Sequence, residues 1–194
     1  MAFAAKSSKA QLITYANLSH KYIYKVRTVT IPDAHEYVED AVVDLYIFTR
    51  NSKLIQKISF HAESLYGTVY KDNKNSRSYI TGKNENAEVP DYDFGDLIIA
   101  DLNFDGHEDI AIKHDSGGNG GPFYNFYLQG NNGRFYKNNY LTDHVGSFPH
   151  DINPENKTIT TQIHANAYQE GRKTFRYNAK TKKWRLIKWV MVGG

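Results

Sequence analysis

Short stretches of this chain alternate apolar and polar residues, which is the pattern of β-strands with one buried face. The strongest strand signal is Tyr22–Ile31. Residues 41–48 and 54–60 flank a polar segment, and this arrangement predicts a hairpin with a polar turn. Residues 97–100 and 110–112 are apolar runs rich in isoleucine, and we interpret them as buried strands.

The second half of the chain continues this pattern and sets the predicted fold class. Further strands are predicted at residues 123–128, 134–136, 158–167, 173–177 and 184–192. An aromatic strand, a polar turn, a basic residue and a second strand recur at 45–58, 126–136 and 175–187. The 15 tyrosines and 10 phenylalanines also favour sheet. We therefore predict an all-β, antiparallel fold, propeller-like with degenerate blades; a β-sandwich or barrel is the alternative.

The length of the chain and its N-terminal sequence indicate how the chain is organised into domains. The 194 residues suit one domain, which we expect to span residues 11–194. Residues 1–10 are predicted to be a disordered N-terminus. Ala2-Phe3-Ala4 is typical of a signal-peptide cleavage site, so we expect a secreted or periplasmic protein, with a native disordered terminus as the alternative. No apolar run of about 18 residues occurs, which predicts no transmembrane segment.

Composition and charge argue against several function classes. The net charge of +3 is too small to imply a nucleic-acid partner by itself. Basic residues crowd the segment 172–188, which we interpret as a solvated edge hairpin rather than a polyanion-binding face. The chain has no cysteine, and its eight histidines are scattered. No paired carboxylates or nucleophile–base pair can be assigned, so we predict that the protein is not an enzyme.

One loop has the residue spacing of a calcium site. Between the two isoleucine-rich runs, oxygen-bearing side chains stand at alternate positions, and a glycine allows a sharp turn. Calcium takes about six to eight oxygen ligands, and in such loops the seventh residue gives its backbone carbonyl. The predicted ligands are Asp101, Asn103, Asp105, His107 through its carbonyl, and Asp109. A metal-free hairpin turn is the alternative.

The flanking strands distinguish this loop from an EF-hand. An EF-hand has a bidentate glutamate at its twelfth position, where this chain has Ile112. We therefore expect Asp109 to close a cage between two strands, with the calcium ion in a structural role. Three further acidic residues, Asp91, Asp93 and Asp96, are expected either to add to the field of the loop or to form a solvated acidic loop.

Phe94-Gly95, the loop residues 101–106 and Asp109-Ile110 together resemble the calcium-binding blade of FG-GAP repeats, as in integrin-type propellers. The resemblance covers about residues 94–112. Residues 113–115 depart from it, because Lys-His-Asp stands where the repeat closes with Gly-Ala-Pro.

A longer part of the chain, from about residue 23 to the end, resembles a family of small bacterial envelope proteins with a propeller-like fold. Some of these proteins inhibit lysozymes or act as immunity proteins against lysozyme-like effectors. The resemblance rests on the order of elements: a hairpin, the calcium loop, a glycine-rich loop, an aromatic strand and a hairpin rich in lysine and aromatic residues. It implies a protein partner of the lysozyme-like hydrolase class.

The glycine-rich loop, residues 115–122, is the second segment of interest. It follows the calcium loop after one short strand, so we expect the ion to brace its base. In lysozyme inhibitors a loop containing Ser-Gly enters the active-site cleft, and the resemblance implies this partner-binding role for Ser116, Gly117 and Tyr124. A long turn between blades is the alternative.

The sequence also leaves a second function open. An extracellular adhesive or carbohydrate-binding module would bind glycans and would use exposed tyrosines and tryptophans as stacking platforms.

Overall fold

The computed structural model describes residues 10–31, 38–118, 120–165 and 168–193. The predicted disordered N-terminus therefore lies outside the described residues, except for Ala10. Strands account for 53% of the described residues and helical segments for 6%, which confirms the predicted all-β class. None of the described helical segments is long and apolar enough to cross a membrane.

Thirteen strands are described, and two single helical turns interrupt them. The strands are β1 (Ala10–Tyr15), β2 (Tyr22–Ile31), β3 (Val38–Thr49), β4 (Leu54–Tyr66), β5 (Ser76–Ser78), β6 (Leu97–Ala100), β7 (Asp109–Asp115), β8 (Phe123–Gln129), β9 (Phe135–Lys137), β10 (Asp151–Asn153), β11 (Thr158–His164), β12 (Glu170–Asn178) and β13 (Lys183–Val192). A 3₁₀ turn spans Pro90–Tyr92, and a π-helical turn spans Leu141–Val145.

The strands form two sheets. In the larger sheet the order is β1-β2-β3-β4-β7-β6-β5, and β8 and β9 extend it from β7. The smaller sheet has the order β10-β11-β12-β13. All pairings are antiparallel except β4 with β7 and β5 with β6, which are parallel. The strands of the described residues form no closed barrel. Both the propeller-like and the sandwich description remain compatible with this topology.

The β6–β7 hairpin is buried on both faces and separates two apolar cores. Ile99 and Ile112 point into the core that the hairpin shares with β1–β4. Ile98 and Ala111 point into the core that it shares with β8, the π-helical turn and the smaller sheet. All four side chains are essentially inaccessible to water. This double burial explains why both strands are continuous apolar runs instead of alternating ones.

A buried ionic network lies at the end of this hairpin that is remote from the calcium loop. Lys113 is 1% exposed, and its Nζ atom lies 2.7 Å from Asp93 Oδ2 and 3.1 Å from Asp96 Oδ1. Asp96 also accepts hydrogen bonds from the backbone N–H of Tyr70 and from the side-chain amide of Asn75, both at 2.9 Å. Burial raises the pKa of Asp96, and the neighbouring Lys113 opposes that shift. The carboxylate of Asp96 therefore depends on Lys113 for compensation of its charge.

We predict that Lys113→Met lowers the free energy of unfolding by about 3–5 kcal/mol, because removal of one partner leaves Asp96 buried without a counter-charge. Urea denaturation monitored by circular dichroism measures this change. Lys57→Met is the matched control, since Lys57 is 45% exposed and its partner Asp44, at 3.0 Å, keeps Arg27 as a second cation, so this substitution should cost much less. Equal small effects of both substitutions would contradict the assigned role of Lys113.

Candidate metal centre and glycine-rich loop

The predicted calcium loop, residues 101–108, connects β6 to β7. Two of its residues have positive φ: Phe104 at 60° and Gly106 at 82°. The sequence-based expectation of a sharp turn at Gly106 thus agrees with a left-handed backbone conformation, which glycine adopts without strain.

The side chains of the first three predicted ligands gather over the backbone of the turn. The Asp105 N–H lies 3.1 Å from Asp101 Oδ1 and 3.2 Å from Asn103 Oδ1. The Gly106 N–H donates to Asp101 Oδ2 at 2.9 Å, and Asn103 Nδ2 donates to Asp105 Oδ2 at 3.0 Å. The structure therefore brings Asp101, Asn103 and Asp105 together as the spacing predicts. The imidazole Nδ1 of His107 lies 3.1 Å from Asp105 Oδ1.

Asp109 closes the loop from inside the protein. Its side chain is fully buried; Oδ2 accepts hydrogen bonds from the N–H groups of Leu102 and Asn103, and Oδ1 accepts one from the N–H of Gln129. Burial raises the pKa of Asp109 to about 8, the N–H donors oppose this shift, and the charges of Asp105 and Asp101 add to it. Asp109 thus joins the loop to the end of β8, and the three carboxylates interact with one another.

The chemistry of this donor set fits a hard cation. It offers carboxylate and amide oxygens, the ligands that calcium prefers. Each ionised carboxylate has about four acceptor sites, and the internal hydrogen bonds of Asp101 use only two. Among the described residues, however, no three acidic, histidine or cysteine side chains converge as a ready-made metal cluster. Calcium binding at Asp101, Asn103, Asp105, His107 and Asp109 therefore stays a prediction.

The loop also packs against the smaller sheet. The ring centroid of Phe104 lies 6.3 Å from that of Trp184, which in turn lies 5.0 Å from that of Tyr177. Burial raises the pKa of Tyr177, and the charges of Asp105 and Asp109 raise it further. The loop therefore connects the β6–β7 hairpin to the β12–β13 hairpin, a contact that the sequence did not indicate.

Of the three residues predicted to bind a partner, Ser116 and Tyr124 have side chains that face inward. Ser116 is buried, and its hydroxyl accepts a hydrogen bond from the Tyr66 N–H at 2.9 Å. Tyr124 is fully buried, and its hydroxyl donates to the Gly95 carbonyl at 3.0 Å. A partner cannot contact the Tyr124 side chain in this conformation. Ser116 instead anchors the base of the loop, whereas Tyr124 packs in the core; the half-buried Gly117 accepts a hydrogen bond at its carbonyl from the Tyr66 hydroxyl at 3.0 Å.

The glycine-rich loop has a tight backbone conformation. Gly117 and Gly121 have φ of 63° and 85°. A Cβ atom at Gly117 would lie only 2.0 Å from the Gly121 carbonyl oxygen, whereas one at Gly118 would meet nothing within 4 Å. The loop is therefore closed at its base, and Gly118 lies at its exposed tip.

The calcium loop and the glycine-rich loop lie at opposite ends of β7. This strand has seven residues, so it separates the two loops by about 20 Å. The expectation that an ion braces the base of the glycine-rich loop is therefore wrong, because the ion would not touch it. Asp96 also belongs to the remote end, where it pairs with Lys113 instead of extending the calcium site.

A cleft of about 730 Å³ opens beside the glycine-rich loop. Ser116, Gly118 and Gly121 of the loop line it, and so do Tyr66, Asp91 and His164. The ring of His164 packs on that of Tyr92 with 4.7 Å between centroids. Sequence reasoning missed Tyr66 and His164, because each lies about fifty residues from the loop and no local motif marks either of them.

Comparison with known proteins supports the fold alone. No protein-family model matches the chain, and no curated protein matches its sequence. A solved structure described as a Xanthomonas type IV secretion system related protein has a similar fold, with a TM-score of 0.57 and 17% sequence identity. The match covers 94% of this chain and 88% of that protein. The similarity of fold thus extends over nearly the whole chain.

We predict that calcium changes the fluorescence of Trp184, because this buried ring packs against Phe104 of the loop. A Trp189→Phe background leaves Trp184 as the single reporter, since the chain has two tryptophans. At a hundredfold excess over Kd, calcium should also stabilise the fold by about 2.7 kcal/mol, measured as a rise in Tm. Asp105→Ala should abolish both responses. Identical emission and Tm in calcium and in chelator for the parent protein would refute the metal site.

A pair of glycine substitutions tests the conformation of the glycine-rich loop. Gly117→Ala should lower the free energy of unfolding by more than about 1 kcal/mol, because φ is positive and the new methyl group overlaps the Gly121 carbonyl. Gly118→Ala should change it by less than about 0.5 kcal/mol, since its Cβ meets open space. Thermal and urea unfolding of the two variants provide the comparison. A neutral Gly117→Ala would mean that the loop does not adopt this closed form in solution.

Proposed function

We propose that this protein is a secreted or periplasmic calcium-binding protein that inhibits a lysozyme-like peptidoglycan hydrolase by inserting its glycine-rich loop. The observation that supports the proposal most is the shape of the loop. Its base is held by Ser116 and Tyr66, and its tip at Gly118 is exposed without a side chain. A narrow, anchored strip of backbone fits an enzyme cleft shaped for a polysaccharide chain.

The backbone of the loop also suits the chemistry of such a cleft. Glycoside hydrolases cleave their substrate with a pair of carboxyl groups on either side of the scissile bond. Peptide N–H groups are strong donors to carboxylates, and glycines leave these groups accessible. In this proposal the loop occupies the catalytic centre, and the cleft beside it, with Asp91 and Tyr66 on its wall, receives the rim of the enzyme.

Calcium has a structural role in the proposal. Asp101, Asn103, Asp105 and Asp109 would hold it with the carbonyl of His107, and the ion would neutralise three interacting carboxylates. Because the loop contacts Trp184 and Gln129, an ion there would stabilise the junction of the two sheets. Its effect on the glycine-rich loop would be indirect, through the stability of the fold.

The calcium requirement, the N-terminal sequence and the structural neighbour support the proposed location. Free calcium at the level that a weak site needs is found outside the cytosol, and the N-terminal segment has the pattern of a cleavage site. The structural neighbour is described as related to a secretion system, which suits an envelope setting for this chain as well.

Lysis of a peptidoglycan suspension by c-, g- and i-type lysozymes tests the proposal directly. We expect the protein to inhibit one class, and Gly118→Phe to reduce that inhibition at least tenfold, because the bulky side chain blocks entry of the tip. Gly118→Phe should still fold, since its side chain would point into open space. Asn51→Phe, in the exposed turn between β3 and β4, is the matched control and should inhibit like the parent protein.

Chelation separates the roles of the two loops. We expect inhibition to persist in chelator at temperatures at which the metal-free protein stays folded. Full inhibition by Gly118→Phe would refute loop insertion, and failure to inhibit any class would refute the proposed target.

A further inference from the structure

A second cleft, of about 530 Å³, lies beside the candidate metal loop. It is formed where three turns meet: the loop between β6 and β7, the turn between β8 and β9, and the turn between β12 and β13. None of the three predicted partner-binding residues lines it. It also lies at the opposite end of β7 from the glycine-rich loop, so its function is separable from that of the proposed inhibitory loop.

Side-chain amides dominate the lining of this cleft. Five of its lining residues have an amide: Asn103, Gln129, Asn131, Asn132 and Asn138. Each amide combines a hydrogen-bond acceptor with two donors. Leu128 is the single aliphatic side chain among the lining residues, so the cleft does not suit an apolar ligand.

One aromatic ring in the cleft is exposed and held in place. The side chain of Tyr136 is 53% exposed, and its hydroxyl accepts a hydrogen bond from Asn132 Nδ2 at 2.7 Å. A Cβ atom at Gly130 would lie 3.0 Å from Tyr136 Cε2, so the tyrosine ring packs closely against the backbone of Gly130. Because this orientation is fixed before binding, a ligand that stacks on the ring loses little conformational entropy.

The cleft also has polar side chains that are available to bind a ligand. Within the described part of the chain, the side chains of Asn131, Lys137 and Lys182 make no hydrogen bond or ion pair. These two lysines line the same cleft as the carboxylate of Asp105, so the charge of its lining is mixed. A polyanion such as a nucleic acid would meet the acidic loop, whereas a neutral ligand rich in hydroxyl groups would meet both donors and acceptors.

We propose that this cleft is a saccharide-binding site in which Tyr136 stacks on one face of a sugar ring. Sugar rings combine an apolar face of C–H groups with a rim of hydroxyl groups that both donate and accept hydrogen bonds. The ring of Tyr136 matches the first feature, and Asn131, Lys137 and Lys182 match the second. The proposal is independent of the inhibitor proposal, because it uses other residues at another end of the molecule.

The test uses the full chain in calcium-containing buffer with tri-N-acetylchitotriose and maltotriose as probes. Isothermal titration calorimetry measures affinity, and ¹H–¹⁵N spectra locate binding through shifts of the amides of residues 130–132. We expect millimolar or tighter binding, and about tenfold weaker binding by Tyr136→Ala. Asn131→Ala should also weaken binding, and it should leave the fold intact because Asn131 lies in an exposed turn, so it serves as the second variant.

Trp189→Ala is the matched control, because Trp189 is 63% exposed but does not line this cleft. It should bind saccharide like the parent protein. Binding of chitotriose alone would define a site for N-acetylated sugars, and binding of both probes would define a general saccharide site. Absence of binding at millimolar concentrations, unchanged binding in both cleft variants, or equal loss in Trp189→Ala would overturn the proposal. Loss of lysozyme inhibition would not bear on it, since that assay reports on the glycine-rich loop.

Discussion

The structure depends on one constraint, the burial of the β6–β7 hairpin on both faces. Its side chains pack into the core shared with β1–β4 on one face and into the core shared with the smaller sheet on the other. Each fully buried aliphatic side chain contributes about 1.5–3 kcal/mol to the stability of the fold. A hairpin in this position cannot shift its register without moving polar groups into a core. The packing therefore fixes the positions of both ends of the hairpin, and one candidate functional loop lies at each end.

The two ends of this hairpin differ in chemistry. At one end the carboxylates of Asp101, Asp105 and Asp109 surround a sharp turn that packs on the smaller sheet. At the other end Lys113 compensates Asp93 and Asp96, and Asp93 also lines the larger cleft. An ion at the first end and a partner at the second would thus influence each other only through the packed strands between them.

This separation allows two binding functions on one small chain. The glycine-rich loop offers the backbone of four glycines, Gly117, Gly118, Gly120 and Gly121, which suits the insertion into an enzyme cleft that we propose. The cleft beside the metal loop presents amides and a fixed tyrosine, which suits a ligand with its own hydroxyl groups. The partners that we propose differ in the same way: one is a rigid protein surface, and the other is a flexible saccharide.

The sequence by itself determined the all-β class, the buried strands β6 and β7, and the gathering of Asp101, Asn103 and Asp105 around Gly106. These features are local, because hydrophobic runs and a ligand spacing of two residues depend only on neighbours along the chain. Only the tertiary structure decided that Tyr124 is buried, that Tyr66 anchors the glycine-rich loop, and that the two loops lie about 20 Å apart along β7. It also brought three distant turns together as the amide-lined cleft. Such contacts join residues far apart in sequence, and their geometry follows from how strands pair and pack rather than from any local pattern.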